Sequence, residues 1–268
     1  MVLQLGLVGH NIQESFSPTL HHRLAKWADI HVSYDLYEAH EATLDAVLPT
    51  LMARGVRGFN VTAPFKETIM RRLHIVGAKA QTAGAANTVS IDDAGVWAGV
   101  NTDVTALTRI LTDYGCRRVL LLGAGGAARA VCVALREVCY DQLIILNRSV
   151  ARTRSMVDHI ALEQVEMLTI DGLSQALKTT ELVINTLPPT AHQSLERLLL
   201  APVPSGLPWI DLSYGARLDP WRVYLSNLGF AVEDGLRMFI LQGLAAFERW
   251  TGCVVPFSVG ADAVNYHA

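Results

Sequence analysis

The residue types best suited to chemistry in this sequence are Lys66 and Asp103. Lys66 follows a short apolar segment in the run NVTAPFK, where no amphipathic pattern accounts for the polar residues. Asp103 follows a second apolar segment that ends in NTD. If the two strand ends meet at one sheet edge, the ammonium and the carboxylate form a pair that could hold and move a proton. A surface lysine and an aspartate that caps a helix are an equally open interpretation.

Other polar residues are placed where they could contact a small ligand. Ser15 and Ser17 precede a predicted helix, and two hydroxyls beside a helix N-terminus suit an anion such as a carboxylate. Asn87 stands in a GAANT turn and could hydrogen-bond a hydroxylated ring. Tyr214 lies just beyond a predicted strand, and Gln242 interrupts an apolar helix stripe. Helix capping by Ser17, a turn role for Asn87 and core or surface positions for the last two remain open alternatives.

A glycine-rich turn is the candidate cofactor site. The run VLLLGAGGAARAV at residues 119–131 is typical of a strand, a tight turn and a helix that together bind the pyrophosphate of a dinucleotide. Gly123 permits the turn, Gly125 lets backbone N–H groups approach the pyrophosphate, and Ala128 allows close packing of helix on strand. An ordinary turn between strand and helix is the alternative.

The end of the next predicted strand indicates which dinucleotide would bind. Residues 143–146 are apolar and lead into Asn147-Arg148-Ser149, with Arg152 one turn further on. NAD requires an acid at this place to accept a hydrogen bond from its ribose 2′-hydroxyl, whereas guanidinium groups bind a 2′-phosphate. The basic strand end therefore favours NADP, and a solvated arginine is the other interpretation.

Composition excludes several classes of protein. With 268 residues and 51% hydrophobic content, the chain is long enough for two folded α/β domains. A net charge of −3 with scattered Lys and Arg argues against a nucleic-acid partner. The 4 cysteines lack disulfide or zinc spacing, and we expect no metal. No signal peptide or membrane-spanning run is recognisable, which favours the cytoplasm.

Apolar runs and turn residues predict an α/β protein of two domains. Residues 1–101, completed by 236–268, are expected to form a substrate-binding domain, and 102–235 a Rossmann-type NADP-binding domain. We expect the C-terminal helix to return to the N-terminal domain, with the site in the cleft between domains. Predicted strands are 3–8, 32–37, 58–61, 88–91, 96–100, 119–122, 143–147, 165–168, 182–185, 208–212 and 230–232. Predicted helices begin after a cap at Ser17 and at Leu44, fill residues 67–81, lie between most of the later strands, and continue without a break after Asp234.

Several motifs together resemble the shikimate dehydrogenase family. GLVGHNIQESFSP resembles its serine loop, NVTAPFK its lysine loop, and GAANTV and GVNTD its substrate-binding asparagine and catalytic aspartate. GAGGAARAV with NRSVAR resembles its NADP turn, DLSY its tyrosine loop, and GLRMFILQGLAAFERWTG its closing helix. The resemblance covers nearly the whole chain and keeps the family's order of motifs.

The resemblance implies an NADP-dependent enzyme that reversibly reduces 3-dehydroshikimate to shikimate, a step of chorismate and aromatic amino-acid biosynthesis. Lys66 would be the acid/base, assisted by Asp103. The implied substrate-binding residues are Ser15, Ser17, Asn60, Thr62, Lys66, Asn87, Asp103, Tyr214 and Gln242. The implied cofactor-binding residues are Gly123, Ala124, Gly125, Gly126, Ala127, Asn147, Arg148, Ser149, Arg152, Thr186, Leu212, Gly235 and Met238. The enzyme would be a monomer or homodimer.

Three departures from the family pattern leave the substrate open. Glu14 replaces a histidine before the first serine, Ala106 replaces a glycine after the aspartate, and Leu187-Pro188-Pro189 replaces a loop that commonly carries Gly-Met. A paralogue that acts on quinate or a related ring acid is therefore one alternative. A non-catalytic, cofactor-sensing regulator is another, because binding sites can outlive activity.

Overall fold

The computed structural model describes residues 2–40, 43–199, 203, 205–215 and 218–267. The chain forms two compact units, which consist of residues 1–106 with 239–268 and of residues 107–238. Each unit contains one six-stranded sheet. The first unit is therefore discontinuous in sequence, whereas the second is formed by one uninterrupted segment.

The sheet of the first unit is mixed. Its strands are β1 (Leu3–Gly9), β2 (Val32–Glu38), β3 (Gly58–Val61), β4 (Ile75–Val76), β5 (Thr88–Ile91) and β6 (Trp97–Val100), in the order β2-β1-β3-β5-β6-β4. Strand β1 pairs in parallel with β2 and β3, and β5 runs antiparallel to β3 and β6. Strands β1 and β3 therefore end at the edge where β5 begins.

The sheet of the second unit is parallel throughout. Its strands are β7 (Arg118–Leu122), β8 (Gln142–Leu146), β9 (Val165–Leu168), β10 (Leu182–Asn185), β11 (Leu207–Asp211) and β12 (Phe230–Glu233), in the order β12-β11-β10-β7-β8-β9. This is the strand order of the dinucleotide-binding fold, and the order reverses at β7. The predicted Rossmann-type sheet is confirmed, and its apolar strands are buried because helices cover parallel sheets.

The helices lie where 3.6-residue apolar periodicity predicts most of them. They are α1 (Ser17–Trp27), α2 (Leu44–Ala53), α3 (Ala78–Ala83), α4 (Thr102–Tyr114), α5 (Gly126–Val138), α6 (Val150–Ile160), α7 (Leu173–Ala176), α8 (His192–Glu196), α9 (Asp219–Asn227), α10 (Leu236–Thr251) and α11 (Phe257–Ala263). The borders of the units fall inside α4 and α10.

The return of the C-terminal helix to the first unit is confirmed. Trp250 of α10 donates its indole N–H to the carbonyl of Val89 in β5, at 2.9 Å. The same indole crosses Gly58, where an added Cβ would lie 2.3 Å from its nitrogen. Gly243 of α10 makes a second close contact, with Leu20. A side chain at Gly58 or at Gly243 would force the helix away, so these two glycines set how closely α10 packs.

Two expectations about local structure are wrong. Residues 67–81 are not all helical: a 3₁₀ helix covers Thr68–Arg72, and Ile75–Val76 form strand β4. The reason is tertiary, since His74 and Gly77 donate backbone N–H groups to the carbonyls of Trp97 and Gly99 at the sheet edge. The chain after Asp234 is also interrupted, because residues 252–256 separate α10 from α11.

The predicted helix cap at Ser17 is wrong as well. Helix α1 begins at Ser17 itself and Phe16 precedes it, so the Ser17 side chain does not cap the helix. The Ser17 hydroxyl instead accepts a hydrogen bond from the Ser15 hydroxyl at 3.1 Å. Asp103 does not cap α4 either, because the Asn101 side chain accepts the N–H of Val104 there, at 3.2 Å.

Candidate active site

Three loops and the start of one helix converge at one edge of the sheet of the first unit. The register pairs Val8 of β1 with Val61 of β3, Asn60 with Thr88 of β5, and Thr88 with Val100 of β6. The serine loop after β1, the lysine loop after β3, the asparagine turn before β5 and the start of α4 therefore meet. These loops carry most of the polar residues that the sequence singles out.

Lys66 and Asp103 form an ion pair at this edge. Lys66 Nζ lies 2.6 Å from Asp103 Oδ2, and their side chains are 16% and 4% exposed. The carbonyl of Lys66 also accepts the N–H of Ala86 at 2.8 Å, which ties the lysine loop to the asparagine turn. Burial strengthens a charge-assisted hydrogen bond, so the pair has one defined geometry instead of a mobile surface contact.

Asn87 fixes the second oxygen of Asp103. Its amide nitrogen donates to Asp103 Oδ1 at 2.7 Å and to Thr102 Oγ1 at 2.9 Å. Its amide oxygen accepts the backbone N–H of Thr102 at 2.8 Å. A backbone N–H can only donate, so it determines which end of the amide is the oxygen, and the nitrogen must face the carboxylate. Asn87 is therefore more than a turn residue.

The asparagine network continues away from the ion pair through Asn60. Asn60 donates from its amide nitrogen to Thr88 Oγ1 at 3.1 Å and accepts the Tyr34 hydroxyl at 2.8 Å. Thr88 in turn donates its hydroxyl to the Asn87 amide oxygen at 3.1 Å. The side chains between Tyr34 and Asp103 thus form one continuous row of hydrogen bonds, in which each donor faces the acceptor of the next side chain.

A buried histidine lies beneath this network. His21 of α1 is 1% exposed and its ring stacks on Tyr34 with centroids 4.5 Å apart. Burial lowers the pKa of His21 to about 3, although a hydrogen bond with Asn60 acts in the opposite direction. The imidazole is therefore neutral at physiological pH and serves as a ring in the core.

The serine loop and Thr62 lie beside one another. Ser15 Oγ donates to Ser17 Oγ at 3.1 Å and accepts the backbone N–H of Ser17 at 3.2 Å, so the two hydroxyls lie side by side. An added Cβ on Gly9 would lie 2.2 Å from Thr62 Cγ2, which means that only glycine permits this approach. The two loops together present hydroxyl groups near the carboxyl ends of β1 and β3.

Gln242 and Tyr214 differ in their relation to this cluster. Gln242 of α10 belongs to the first unit, where its Oε1 lies 3.4 Å from the Asn87 amide nitrogen and its own amide donates to the carbonyl of Phe239. Tyr214 follows β11 in the second unit and is half-buried. The structure therefore joins Gln242 directly to the asparagine network and places Tyr214 in a loop of the other sheet.

The glycine turn of the second unit leads from β7 into α5. Gly123 has φ +107°, which side chains rarely adopt, and an added Cβ would lie 2.5 Å from Thr186 Oγ1. Thr186 donates its hydroxyl to the carbonyl of Leu122 at 2.7 Å. Gly125 precedes the first turn of α5, and the space above it is open. Ala124, Gly126 and Ala127 complete the turn, so backbone N–H groups at the helix start face free space where an anion fits.

The basic end of β8 is exposed. Asn147 donates its amide to the carbonyl of Ser149 at 3.0 Å, and the Ser149 hydroxyl accepts the N–H of Arg152 at 3.2 Å as the cap of α6. Arg152 Nε also donates to the carbonyl of Ala124 at 2.9 Å. Arg148 and Arg152 are both exposed. A guanidinium bond thus links the basic segment to the glycine turn.

The remaining cofactor candidates lie around β11 and the start of α10. Leu212 follows β11, donates its N–H to the carbonyl of Asn185 at 2.9 Å, and lies against Gly235. Gly235 donates its N–H to the carbonyl of Ser213, also at 2.9 Å. Met238 in the first turns of α10 is 7% exposed. The carboxyl ends of β7, β8, β10 and β11 all contribute, as expected at a switch point of strand order.

Three residues of the polar network around Asp103 give no clear signal as candidates in the sequence. Thr88, Thr102 and Tyr34 are buried and hydrogen-bonded to Asn60 or Asn87. Thr88 directly follows Asn87 and Thr102 directly precedes Asp103, both of which the sequence singles out, so the dipeptide Asn-Thr could have indicated them. Tyr34 lies inside an alternating strand and gives no such signal.

Neither a metal-holding cluster nor a membrane-spanning helix is found among the described residues. Across the described ranges, no group of three His, Cys, Asp or Glu side chains is placed to hold a metal ion. Within the same residues, no helix is long and apolar enough to cross a membrane.

Models of known protein families match most of the chain. Residues 7–89 match the shikimate dehydrogenase substrate binding domain, residues 105–212 match shikimate / quinate 5-dehydrogenase, and residues 235–264 match the shikimate 5′-dehydrogenase C-terminal domain. The three matches follow one another along the chain without overlap.

Whole-chain relatives agree with these domains. An NADP(+) shikimate dehydrogenase of Oceanobacillus iheyensis is 32% identical over 96% of this chain and 95% of its own. The crystal structure of shikimate dehydrogenase from Aquifex aeolicus superposes with a TM-score of 0.84 at 26% identity, covering 98% of this chain and 97% of that one. A Thermus thermophilus shikimate 5-dehydrogenase in complex with NADP(H) and shikimate gives 0.81 at 27% identity, covering 98% of both chains.

Proposed function

This chain belongs to the shikimate dehydrogenase family, and we propose that it catalyses the NADP-dependent, reversible reduction of 3-dehydroshikimate to shikimate. The observation that carries this proposal is the buried ion pair of Lys66 and Asp103, whose atoms lie 2.6 Å apart, held by Asn87. An ammonium in a fixed position, beside groups that bind hydroxyls, suits proton transfer at a ring carbonyl.

Lys66 is the acid/base of the reaction. In the reducing direction the ketone of 3-dehydroshikimate gains a hydride at carbon and a proton at oxygen, and Lys66 Nζ gives that proton. In the oxidising direction Lys66 takes the proton back from the shikimate hydroxyl, so the same group serves both directions. NADPH, when bound, supplies the hydride.

Asp103 holds Lys66 and contacts the substrate. One carboxylate oxygen accepts from Lys66 and the other from Asn87, so the ammonium points in one direction throughout the reaction. The carboxylate also accepts a hydrogen bond from a ring hydroxyl of the substrate. Its role is therefore partly orientation and partly binding.

The remaining polar residues of the candidate site bind the substrate. Ser15 and Ser17 bind the carboxylate, because their hydroxyls are 3.1 Å apart and can address one anion together. Hydrogen bonds to ring hydroxyls are assigned to Asn60, Thr62, Asn87, Tyr214 and Gln242. We propose that residues 1–101 with 236–268 form the substrate-binding domain.

The second unit suits NADP. Gly123 keeps the turn clear of a side chain, the space over Gly125 is open, and the N-terminus of α5 faces it. These features fit the pyrophosphate, and Arg148 with Arg152 fits the 2′-phosphate, supported by Asn147 and Ser149. Thr186, Leu212, Gly235 and Met238 line the nicotinamide end. We propose residues 102–235 as the NADP-binding domain.

The family and the candidate site also suggest which molecules bind this protein and where it works. We propose a cytoplasmic enzyme, monomeric or homodimeric, whose only ligands are the ring acid and NADP. Size-exclusion chromatography with light scattering decides between one and two copies.

The function is tested by initial rates. Shikimate and quinate are each oxidised with NADP and with NAD, and NAD(P)H absorbance is recorded. The proposal expects the highest kcat/KM for shikimate with NADP. A higher kcat/KM for quinate would identify the paralogous activity, and binding of NADP without turnover of either acid would identify the regulator.

A further inference from the structure

Glu38 at the end of β2 contacts the serine loop at several points. The parallel register places Glu38 opposite Gly9, the residue from which the loop departs. Its Oε1 accepts the backbone N–H of Asn11 at 2.5 Å, and its Oε2 accepts the N–H of Ile12 at 3.2 Å. Gln13 also donates its side-chain amide to Oε2 at 3.3 Å. One carboxylate thus binds three consecutive residues of the loop.

The loop conformation presents these donors. Asn11 has φ +54°, which turns two successive N–H groups toward the same side. Ile12 is 4% exposed and packs with Leu5, Leu7 and Tyr34. The carbonyl of Ile12 then accepts the N–H of Ser15 at 3.0 Å. The turn held by Glu38 is therefore connected to Ser15 by one backbone hydrogen bond.

The opposite side of the loop lies against the lysine loop. An added Cβ on Gly9 would lie 2.2 Å from Thr62 Cγ2 and 2.6 Å from Ile12 Cγ2. The N–H of His10 donates to the carbonyl of Ala63 at 3.2 Å. The serine loop is thus fixed between Glu38 on one side and the lysine loop on the other.

The chemistry of the contact requires a carboxylate. Burial would raise the pKa of Glu38, but the N–H groups of Ile12 and Asn11 outweigh it and leave the pKa below its usual value. His10 Nδ1 lies 3.4 Å from Oε1. A glutamine would keep the shape of the side chain but would place its NH₂ group against the N–H of Asn11 or of Ile12, so that two donors face each other.

We propose that Glu38 is a positioning residue for recognition of the substrate carboxylate, acting through the loop that carries Ser15 and Ser17. This inference rests on the proposed function, since it assumes that these serines bind the carboxylate of the ring acid. Glu38 itself need not touch the substrate, because its carboxylate is already occupied by the loop.

The test compares shikimate with its methyl ester, which has the same ring but no carboxylate charge. Affinities are measured by calorimetric titration of the full-length protein, and KM and kcat by NADPH formation. For Glu38→Gln we expect an approximately tenfold weaker affinity and higher KM for shikimate, which is the order expected for one charge-assisted hydrogen bond. The ester should change less than about twofold, and kcat and the KM for NADP should not change.

Two further variants make the outcome decisive. Glu137→Gln is the matched control, since Glu137 is a carboxylate of the second unit that accepts the Thr108 hydroxyl. Ser17→Ala is the benchmark for loss of the carboxylate site. If Glu38→Gln weakens binding of shikimate and of the ester equally, or of neither, the Glu38 proposal is overturned. If Ser17→Ala in the same experiment weakens binding of shikimate alone, the proposed function still stands. No selective loss in either variant would overturn both the serine assignment and the Glu38 role.

Discussion

The two candidate half-sites are built in opposite ways. In the first unit Asn60, Asn87 and Asp103 are 5%, 2% and 3% exposed, and each makes hydrogen bonds to other buried side chains. In the second unit Arg148 and Ser149 are exposed. The proposed substrate half is thus a buried polar network, whereas the proposed cofactor half is an open glycine turn with cations at its rim.

The contrast reflects two different tasks. Proton transfer depends on a fixed position of the ammonium, and a buried network provides it because Asp103 is itself held by the hydrogen bond from Asn87. Recognition of a 2′-phosphate depends mainly on charge, which an exposed guanidinium supplies at little folding cost. Substitutions at the buried ion pair should therefore act on rate, and substitutions at the exposed cations should act on cofactor choice.

The largest effect is expected at Lys66. Lys66→Ala should lower kcat by about 10² to 10⁴-fold, because a positioned acid/base group usually contributes that much. Titration should still show binding of shikimate and NADP. Steady-state kinetics together with calorimetry measures both quantities.

Two variants sharpen this prediction. Lys26→Ala removes an exposed lysine of α1 in the same unit and should leave kcat unchanged. Asp103→Asn should lower kcat and also raise the KM for shikimate, because Asp103 both orients Lys66 and binds a hydroxyl. A near-normal kcat in Lys66→Ala would remove Lys66 from the mechanism, and lost shikimate binding in a folded variant would make it a substrate anchor.

A smaller and more selective effect is expected at Arg148. Arg148→Ala should weaken NADP binding by roughly 10- to 150-fold and leave NAD almost unchanged, since a charge-assisted hydrogen bond contributes about 1.5–3 kcal/mol. The ratio of kcat/KM for the two cofactors is the measurement. Because the arginine is exposed, this ratio should also fall at high salt.

The charge-matched control is Arg197→Ala. Arg197 is an exposed arginine just after α8 in the same unit, so its loss should not alter the preference between cofactors. An equal decrease for NADP and NAD in Arg148→Ala contradicts the assignment of the 2′-phosphate and, with it, the contrast between the two half-sites.

The smallest effect concerns stability in acid. His21 has a pKa of about 3 in the folded chain against 6.5 for the free side chain, so below pH 6.5 the unfolded chain binds the proton more readily. The resulting loss of folding stability is absent above pH 6.5 and grows as pH falls toward 3, reaching about 2 kcal/mol at pH 5. His21→Phe keeps a ring against Tyr34 but has no group to protonate. Its free energy of unfolding should therefore fall by about 2 kcal/mol less than that of the native protein when the pH is lowered from 7.5 to 5.

His192 in the second unit is the comparison for His21. It stacks on Trp221, and burial lowers its pKa while Asp211, whose Oδ2 is 3.8 Å away, acts in the opposite direction. His192→Phe should therefore change the acid dependence less than His21→Phe. Urea unfolding at pH 5 and 7.5 measures both slopes, and equal slopes would show that the substrate half is not distinguished by its buried histidine.

The fold is mostly readable from sequence because its signals are local. Apolar runs of 4–5 residues that end in or lead directly into glycine or asparagine mark β7, β8 and β10 of the second unit, and the turn at Gly123 to Gly126 follows β7 directly. The return of α10 is predicted because this last helix has no further strand of the second domain to pair with. The predictions for residues 67–81 and for Ser17 are wrong for a related reason. The backbone of residues 74 and 77 bonds to the distant strand β6 instead of forming a helix, and the Ser17 hydroxyl bonds to Ser15 instead of capping α1.

The candidate site was predicted only in part. Lys66 and Asp103 follow short strands and Asn87 precedes one, all within recognisable motifs, and the structure brings them together, while their roles stay predictions. Tyr34 and Glu38 could not be found because their contacts depend on the register between β1, β2 and β3. Nothing in the sequence of β2 distinguishes the glutamate that binds the serine loop from any other strand-end acid.

The discontinuity of the first unit has a consequence for synthesis on the ribosome. The segment 107–238 is uninterrupted, so its six parallel strands are all available before α10 has been translated in full. The sheet of the first unit is translated earlier but lacks Trp250 and the rest of its covering helix until the end of the chain emerges. The order of translation and the order of completion are therefore reversed: the half translated first is completed last, and its apolar surface under α10 stays open to other chains or chaperones during that interval.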